Sequence, residues 1–420
     1  MDNKIKSIKA LEVLDSRGNP TVKVILKTSR YLVNAAVPSG ASTGTHESFE
    51  LRDNGNRYNG KGVLKAVNNV KKIANKIKGV DFTNQTKIDQ IMLDMDGTKN
   101  KSKLGANAIL AVSIAACKAG ALHNNMNFFE YIKKISKTKT VSLPIPQLNI
   151  INGGEHIGIK NDIQEHMIMP IKFKSFKEAL RASVETYHEL RSILKRKYGA
   201  QATLIGDEGG FAPIVNNIDK RLELIDQAID NSGYKNKIFL ALDCAASEFL
   251  YGGNYKIRNK KYSSGQLIDF YKDLVKRYKI ISIEDGMAED DWEGWRQLNK
   301  ELGGKIQIVG DDLLVTNVSR IEEAIKKKSC NSLLLKVNQT GTVTESIEAA
   351  KLAFKNKWNV IVSHRSGGTR DSFIADLVVG LNSGQSKFGA PARSERTAKY
   401  NRLLEIEDTL GSKAKFARLR

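Results

Sequence analysis

The stretch IQIVGDDLLVTNVSRIEEAIKKKSCNSLLLK, residues 306–336, decides the fold. It opens on an apolar run (306–309) and turns through Gly310, Asp311 and Asp312. It continues at helical spacing over 318–327 and closes on a second apolar run (333–335). The end runs are too short for helices and rich in β-formers, so they read as strands around a crossover helix. The same alternation surrounds them. Further short apolar runs lie at 238–242, 280–283 and 359–362, and helix-like segments at 176–197, 219–232, 266–278 and 344–356. Repeated strand–helix units imply parallel strands, and this many in one stretch imply a (β/α)8-type barrel. The alternative is a doubly wound open sheet. It lacks the Gly-rich fingerprint expected after a first strand.

Upstream the pattern is different. Residues 8–37 hold three extended runs, divided by the turn Asp15-Ser16-Arg17-Gly18-Asn19-Pro20 and by a polar hairpin near Ser29. Helical patterns succeed them at about 62–78, 86–95 and 105–122. Strands and then helices make an α+β unit. The polar stretch 133–140, with Leu143-Pro144-Ile145-Pro146 after it, separates the parts. The expected domains are residues 1–133 (α+β) and 140–420 (barrel, catalytic).

The chemistry is read from the residue at the end of each apolar run. Asp243, Glu284, Asp311 with Asp312, Lys336, and His364-Arg365-Ser366 end five successive strands. In a barrel those ends share one mouth, where catalytic groups sit. Three carboxylates on three strands suit a hard divalent cation that takes oxygen ligands, which points to magnesium. Zinc is disfavoured by sparse histidines and isolated cysteines. Lys336 beside an acidic metal cluster can act as a general base, because a nearby dication lowers its pKa. A purely structural salt bridge to Asp311 or Asp312 is the other reading of that lysine.

The bulk numbers exclude little. The 420 residues carry a net charge of +21, with lysines scattered and no aromatic-interleaved basic motif. The excess reads as compositional, and no nucleic-acid partner is required. Residues 105–121 are apolar, short and Ala-rich, a buried helix and not a membrane span. The first residues lack a signal-peptide core. Cys117, Cys244 and Cys330 are an odd set without metal spacing, as expected of reduced thiols in the cytoplasm.

Nine motifs, with flanking segments at both ends, resemble enolase and occur in enolase order. They are SGASTG (39–44), NIINGGEH (149–156), IQEHMI (163–168), GDEGGFAP (206–213), DCAASEF (243–249), SIEDG (282–286), VGDDL (309–313), KVNQTGT (336–342) and SHRSG (363–367). DSRGNPTV (15–22) and RSERTAKYN (393–401) flank them. The resemblance implies an α+β domain on a barrel with a rearranged first repeat, and a homodimer or a larger assembly. It implies the reversible dehydration of 2-phosphoglycerate to phosphoenolpyruvate in glycolysis, with two magnesium ions per site. Asp243, Glu284 and Asp311 would hold the first ion, and Ser39 would help hold the second. Lys336 would take the C2 proton, and Glu208 would protonate the departing hydroxide. Gln164 and Glu165 would support the site. His156 and His364 would lie on the substrate side, Arg365 and Ser366 would bind phosphate, and Lys387 would meet the substrate carboxylate region. Surface display and RNA-processing association are known of the family, and nothing in the residues argues for either. One departure stands out: the acidic pair usual around Thr369 is replaced by Gly368 and Arg370. Two other classes compete. A superfamily enzyme acting on another acid, such as a sugar acid, would lack the Arg365-Ser366 pair and the Glu208 turn. A binding protein using the +21 charge would show steep salt dependence.

Overall fold

The computed structural model describes residues 3–40, 44–158 and 160–419, without the side chains of Glu155 and His156. Strands β1 (Ser7–Leu14), β2 (Pro20–Lys27) and β3 (Leu32–Ala36) form an antiparallel meander. Asp15 builds the first turn, its Oδ1 accepting from the amides of Arg17 at 2.8 Å and Asn19 at 2.9 Å. Against the sheet lie helices α1 (Leu64–Ile77), α2 (Gln85–Asp96), α3 (Ala106–His123) and α4 (Phe128–Ser136). Helix α3 is long and apolar enough to cross a membrane by length and composition alone. It is apolar all round because 83% of it is buried as the core helix of this unit. The polar stretch 133–140 is only partly a connection. Lys133 and Lys134 belong to the last turn of α4, where cations complement the carbonyl end of a helix.

Downstream come β4 (Ile145–Asn152), β5 (Glu165–Pro170) and β6 (Ile238–Asp243), and then a small sheet of β7 (Leu250–Tyr251), β8 (Asn254–Ile257) and β9 (Lys260–Tyr262). The chain continues through β10 (Ile280–Glu284), β11 (Gln307–Gly310), β12 (Ser332–Leu335), β13 (Asn359–Ser363) and β14 (Gly384–Lys387). Strands β4 to β6 and β10 to β14 close into an eight-stranded barrel. The connecting helices are α5 (Phe176–Tyr198), α6 (Ile218–Asn231), α7 (Ser264–Arg277), α8 (Trp292–Leu302), α9 (Val318–Lys327), α10 (Val337–Thr340), α11 (Val343–Lys355), α12 (Phe373–Gly380) and α13 (Ser394–Leu410). The five expected strands are present. Strands β4, β5 and β14 complete the ring.

Strand β5 runs antiparallel to both of its neighbours, while the other barrel pairs are parallel. The first repeat is therefore rearranged, as the resemblance implied. The reversal has a geometric consequence. The start of β5 lies level with the ends of the other strands, and its own end lies at the opposite rim. The chain must climb along α5, turn at 199–217 and descend along α6 before β6 can begin. That turn is thereby delivered to the mouth.

Polar contacts on several elements tie the α+β unit to the barrel. Asp89 of α2 accepts from the Thr344 amide at 3.1 Å, Ser113 Oγ from the Val343 amide at 3.0 Å, and Lys118 pairs with Asp371 at 2.7 Å. Helix α4 also packs on α12.

Candidate active site

Asp243 and Glu284 end adjacent parallel strands in direct register, and Glu165 at the start of β5 is opposite Asp243. Asp311 comes just after β11, the next strand. All four carboxylates are buried. Lys387, the last residue of β14, reaches into the group. Its Nζ lies 2.8 Å from Asp243 Oδ2, 2.8 Å from Glu284 Oε1 and 3.4 Å from Glu165 Oε1. Burial lifts the pKa of Glu165 well above the carboxylate range, with repulsion from Glu208 adding and Lys387 opposing. Burial also lifts Glu284, with Asp243 adding and Lys387 opposing. For Lys387 burial favours the neutral amine, but Asp243, Glu165 and Glu284 outweigh it and hold the pKa high.

Lys336 comes just after β12, and its Nζ bonds Asp311 Oδ2. Burial alone would lower its pKa; Asp311, with Glu284, reverses that and raises it. The salt bridge read as an alternative is thus present, and it favours the ammonium form. Gln339 Nε2 donates to Asp311 Oδ1 at 2.9 Å.

The acids can take a divalent cation in two overlapping ways. Asp243, Glu284 and Asp311 offer oxygens only, and Glu284 Oε2 is buried without a hydrogen-bond partner among the described residues. Asp285, Asp311 and Asp312 bring carboxylate oxygens within 4.8 Å of one another. Asp285, however, already accepts from the Asp311 amide at 2.9 Å and the Asp312 amide at 2.8 Å. It shapes the loop that presents Asp311, so the first set is better placed as ligands. Sequence reading passes over Asp285, because it stands next to a strand-end acid and looks like a loop start.

The opposite wall begins after β13. Arg365 points its fork at Glu47: Nη1 is 2.8 Å from Oε2 and Nη2 is 3.1 Å from Oε1. Nη1 also lies 3.2 Å from Asn338 Oδ1. This is the bidentate geometry with which an arginine holds a carboxylate or a phosphate. Glu47 comes from the α+β unit, and its Oε1 also accepts from the Gly44 amide at 3.1 Å. Glu208 lies in the turn between α5 and α6, where Asn149 Nδ2 is 3.3 Å from its Oε2. Gly210 lets this turn approach: a Cβ there would stand 2.1 Å from Asn152 Oδ1. His364 places Nε2 3.2 Å from Glu208 Oε2 and Nδ1 2.5 Å from Arg396 Nη1. Arg396, on α13, is fully buried. Sequence reading does not single it out, although it stands inside the RSERTAKYN segment.

Gln164, Glu165, Glu208, Asp243, Lys336, His364, Arg365, Ser366 and Lys387 therefore line one pocket, with about 280 Å³ of empty space. Ser39 does not line it. Its Oγ donates to Glu50 at 3.1 Å and accepts from Arg52 at 2.8 Å, while its backbone pairs with Gly367. The side chain of His156 lies outside the described residues. Gly368 and Arg370 both lie beyond the pocket-lining Ser366.

Comparison with known families agrees with this geometry. Residues 5–132 match the family described as Enolase, N-terminal domain. Residues 140–419 match the family described as Enolase, C-terminal TIM barrel domain. Such domains make a lyase-type enzyme of the enolase superfamily. The rearranged barrel, the acid wall and both matches lead to one assignment: the chain belongs to the enolase family.

Proposed function

We propose that this protein is the glycolytic enolase, which converts 2-phosphoglycerate reversibly to phosphoenolpyruvate. The carrying observation is that a lysine base candidate and a carboxylic acid candidate line one pocket with an arginine fork built for a doubly bonded anion. A sugar-acid enzyme has no need of Arg365 and Ser366 at that place.

In this reading Arg365 and Ser366 hold the phosphate, and Lys387, Gln164, Glu165 and His364 surround the rest of the substrate. His156 belongs to the same substrate side. Lys336 removes the C2 proton. Its own proton must first pass to solvent, and a cation held by Asp311 would favour that loss by replacing the contact that keeps the ammonium charged. Glu208 delivers a proton to the C3 hydroxyl, since hydroxide is a poor leaving group. Asp243, Glu284 and Asp311 would hold the first magnesium, and Ser39, after leaving Glu50 and Arg52, would help hold the second. Two bound magnesium ions would stabilise charge that builds on the substrate carboxylate, a pattern general to enolase-superfamily sites.

A homodimer in the cytoplasm completes the proposal. Leu204, Ile205 and Ile214 stand exposed on the turn 199–217 at 66%, 43% and 83%, an apolar surface suited to a second copy.

The test is turnover of 2-phosphoglycerate with magnesium, monitored by the ultraviolet absorption of phosphoenolpyruvate. A folded, metal-loaded sample that produces none sinks the proposal. The roles separate by isotope exchange. Lys336→Ala stops exchange of the C2 proton with solvent and lowers turnover by about 10²–10⁴. Glu208→Gln blocks elimination and leaves exchange measurable; equal loss of exchange in both refutes the assignment.

A further inference from the structure

We infer that Arg396 is a positioning residue for the acid: it fixes His364 as a neutral imidazole whose proton sits on Nε2, facing Glu208. This rests on the reading of Glu208 as the acid.

A guanidinium has donors only and does not lose its charge in a protein. Arg396 Nη1 lies 2.5 Å from His364 Nδ1. Nδ1 must therefore offer a lone pair. A neutral ring with a lone pair on Nδ1 carries its proton on Nε2. A doubly protonated ring would set an N–H against an arginine N–H, with both groups cationic and buried. Burial first, and Arg396 with it, accordingly pushes the pKa of His364 down to about 3, against the pull of Glu208.

The same guanidinium holds three backbone carbonyls. Nη1 donates to Arg365 O at 2.7 Å, and Nη2 to Ser366 O and to Asp207 O at 3.2 Å. One side chain thus spans the residue before the acid and both residues of the anion fork. These carbonyls and the imidazole are uncharged acceptors. The nearest carboxylate of its own helix, Glu395, stands 3.6 Å from Nε and is held more closely by Arg393 at 2.8 Å. Geometry is therefore the main service that Arg396 renders to the pocket. Gly389 shows how closely the parts meet. At φ +81°, a Cβ on it would lie 2.8 Å from Glu208 O, 2.8 Å from His364 Cε1 and 3.2 Å from Arg396 Cδ. Its carbonyl is held by Tyr400 OH at 2.6 Å, and the Ala390 amide donates to Glu208 O at 2.9 Å.

The consequence falls on the acid. Oε2 of Glu208 faces Asn149 Nδ2 at 3.3 Å and His364 Nε2, the protonated nitrogen, at 3.2 Å. The latter contact is not aligned for a full hydrogen bond, as is common before substrate binds. Arg396 thus decides, through His364, that the ring turns a donor and not a lone pair toward Glu208.

The experiment is long-range ¹H–¹⁵N correlation on the full chain labelled with ¹⁵N-histidine. The chain has six histidines, and a His364→Gln variant assigns the signal. The expected spectrum has a lone-pair Nδ1 and a protonated Nε2, unchanged from pH 6 to 8. Arg396→Gln is expected to mix the tautomers and slow elimination by about ten- to a hundredfold, less than loss of an acid itself. It leaves C2 proton exchange near the wild-type rate. A proton on Nδ1 in the wild type, or a charged ring at pH 7, overturns the inference. So does an Arg396→Gln protein with the wild-type tautomer and rate. If that variant does not fold, the wild-type spectrum still decides. The expected tautomer without any turnover of 2-phosphoglycerate overturns the proposed function and spares the geometry. Turnover with the proton on Nδ1 does the reverse.

Discussion

The two walls of the pocket handle buried charge differently. On the acid wall, Lys387 meets Asp243, Glu284 and Glu165, and Lys336 meets Asp311, all from the rims of the barrel's own strands. On the anion wall, Arg365 is matched by Glu47 from the other domain, and Arg396 and Lys399 arrive on the last long helix. Lys399 donates to the carbonyls of Thr369 and Glu395, each at 2.6 Å. One wall is drawn from the barrel's own strand rims and sets two lysines among four carboxylates. The other is assembled from distant segments, its arginine matched by a carboxylate of the other domain. The first carries the excess negative charge that suits a cation, and the second presents a guanidinium fork whose partner can be exchanged.

Three measurements can break or sharpen this contrast. The largest effect belongs to Lys387. Removing a buried partner leaves charge uncompensated, so Lys387→Met in chelator should destabilise the protein by about 3–5 kcal/mol in urea unfolding. A loss below about 1 kcal/mol would show that the acids do not depend on it. Lys399 comes next. Burial, with Arg396 adding and Asp371 and Glu395 opposing, lowers its pKa to about 7. Below pH 7 it is charged in both folded and unfolded chains, and the burial penalty is complete. Between pH 7 and the ordinary lysine range the unfolded chain binds more protons, so stability rises with pH. The slope approaches roughly 1.4 kcal/mol per pH unit at full effect. Lys399→Met should flatten that rise; a wild-type profile that is already level from pH 7 to 9 contradicts the picture. The smallest effect is at Glu47. On the proposed reading it occupies the fork that phosphate needs, so only the fraction of molecules with Glu47 displaced would bind. Glu47→Gln should tighten inorganic phosphate by about tenfold in calorimetry, the factor expected if the fork is open about a tenth of the time. Unchanged or weaker binding would make Glu47 a support for the fork and not its competitor.

The same contrast explains what can be read from the sequence. Asp243, Glu284, Asp311, Lys336 and Arg365 each stand just past an apolar run, and reading to the end of each run finds them. Glu165 breaks that rule because β5 is reversed, so its mouth residue stands at the strand's beginning. Glu208 breaks it because it rides a turn between two helices, and only the resemblance singles it out. Arg396 and Glu47 escape altogether. Each acts on the pocket from a segment far off in the chain, and neither periodicity nor strand ends report such meetings. Strand β14, GQSK, escapes because its short polar sequence carries no strand signal, its pairing being supplied by β13 and β4. Ser39 is singled out by its motif, yet in this structure its hydroxyl serves Glu50 and Arg52.

The reversed strand has one more effect. Asn152 and Glu165 are paired across β4 and β5, so residues 153–164 leave the rim and return to it without visiting the far end of the barrel. Each connection between parallel neighbours must travel the barrel's full height, and the one from β5 to β6 climbs it and comes back. This segment is a bridge with both footings on the same bank. Its span can lengthen, shorten or change composition while the strands beneath keep their register.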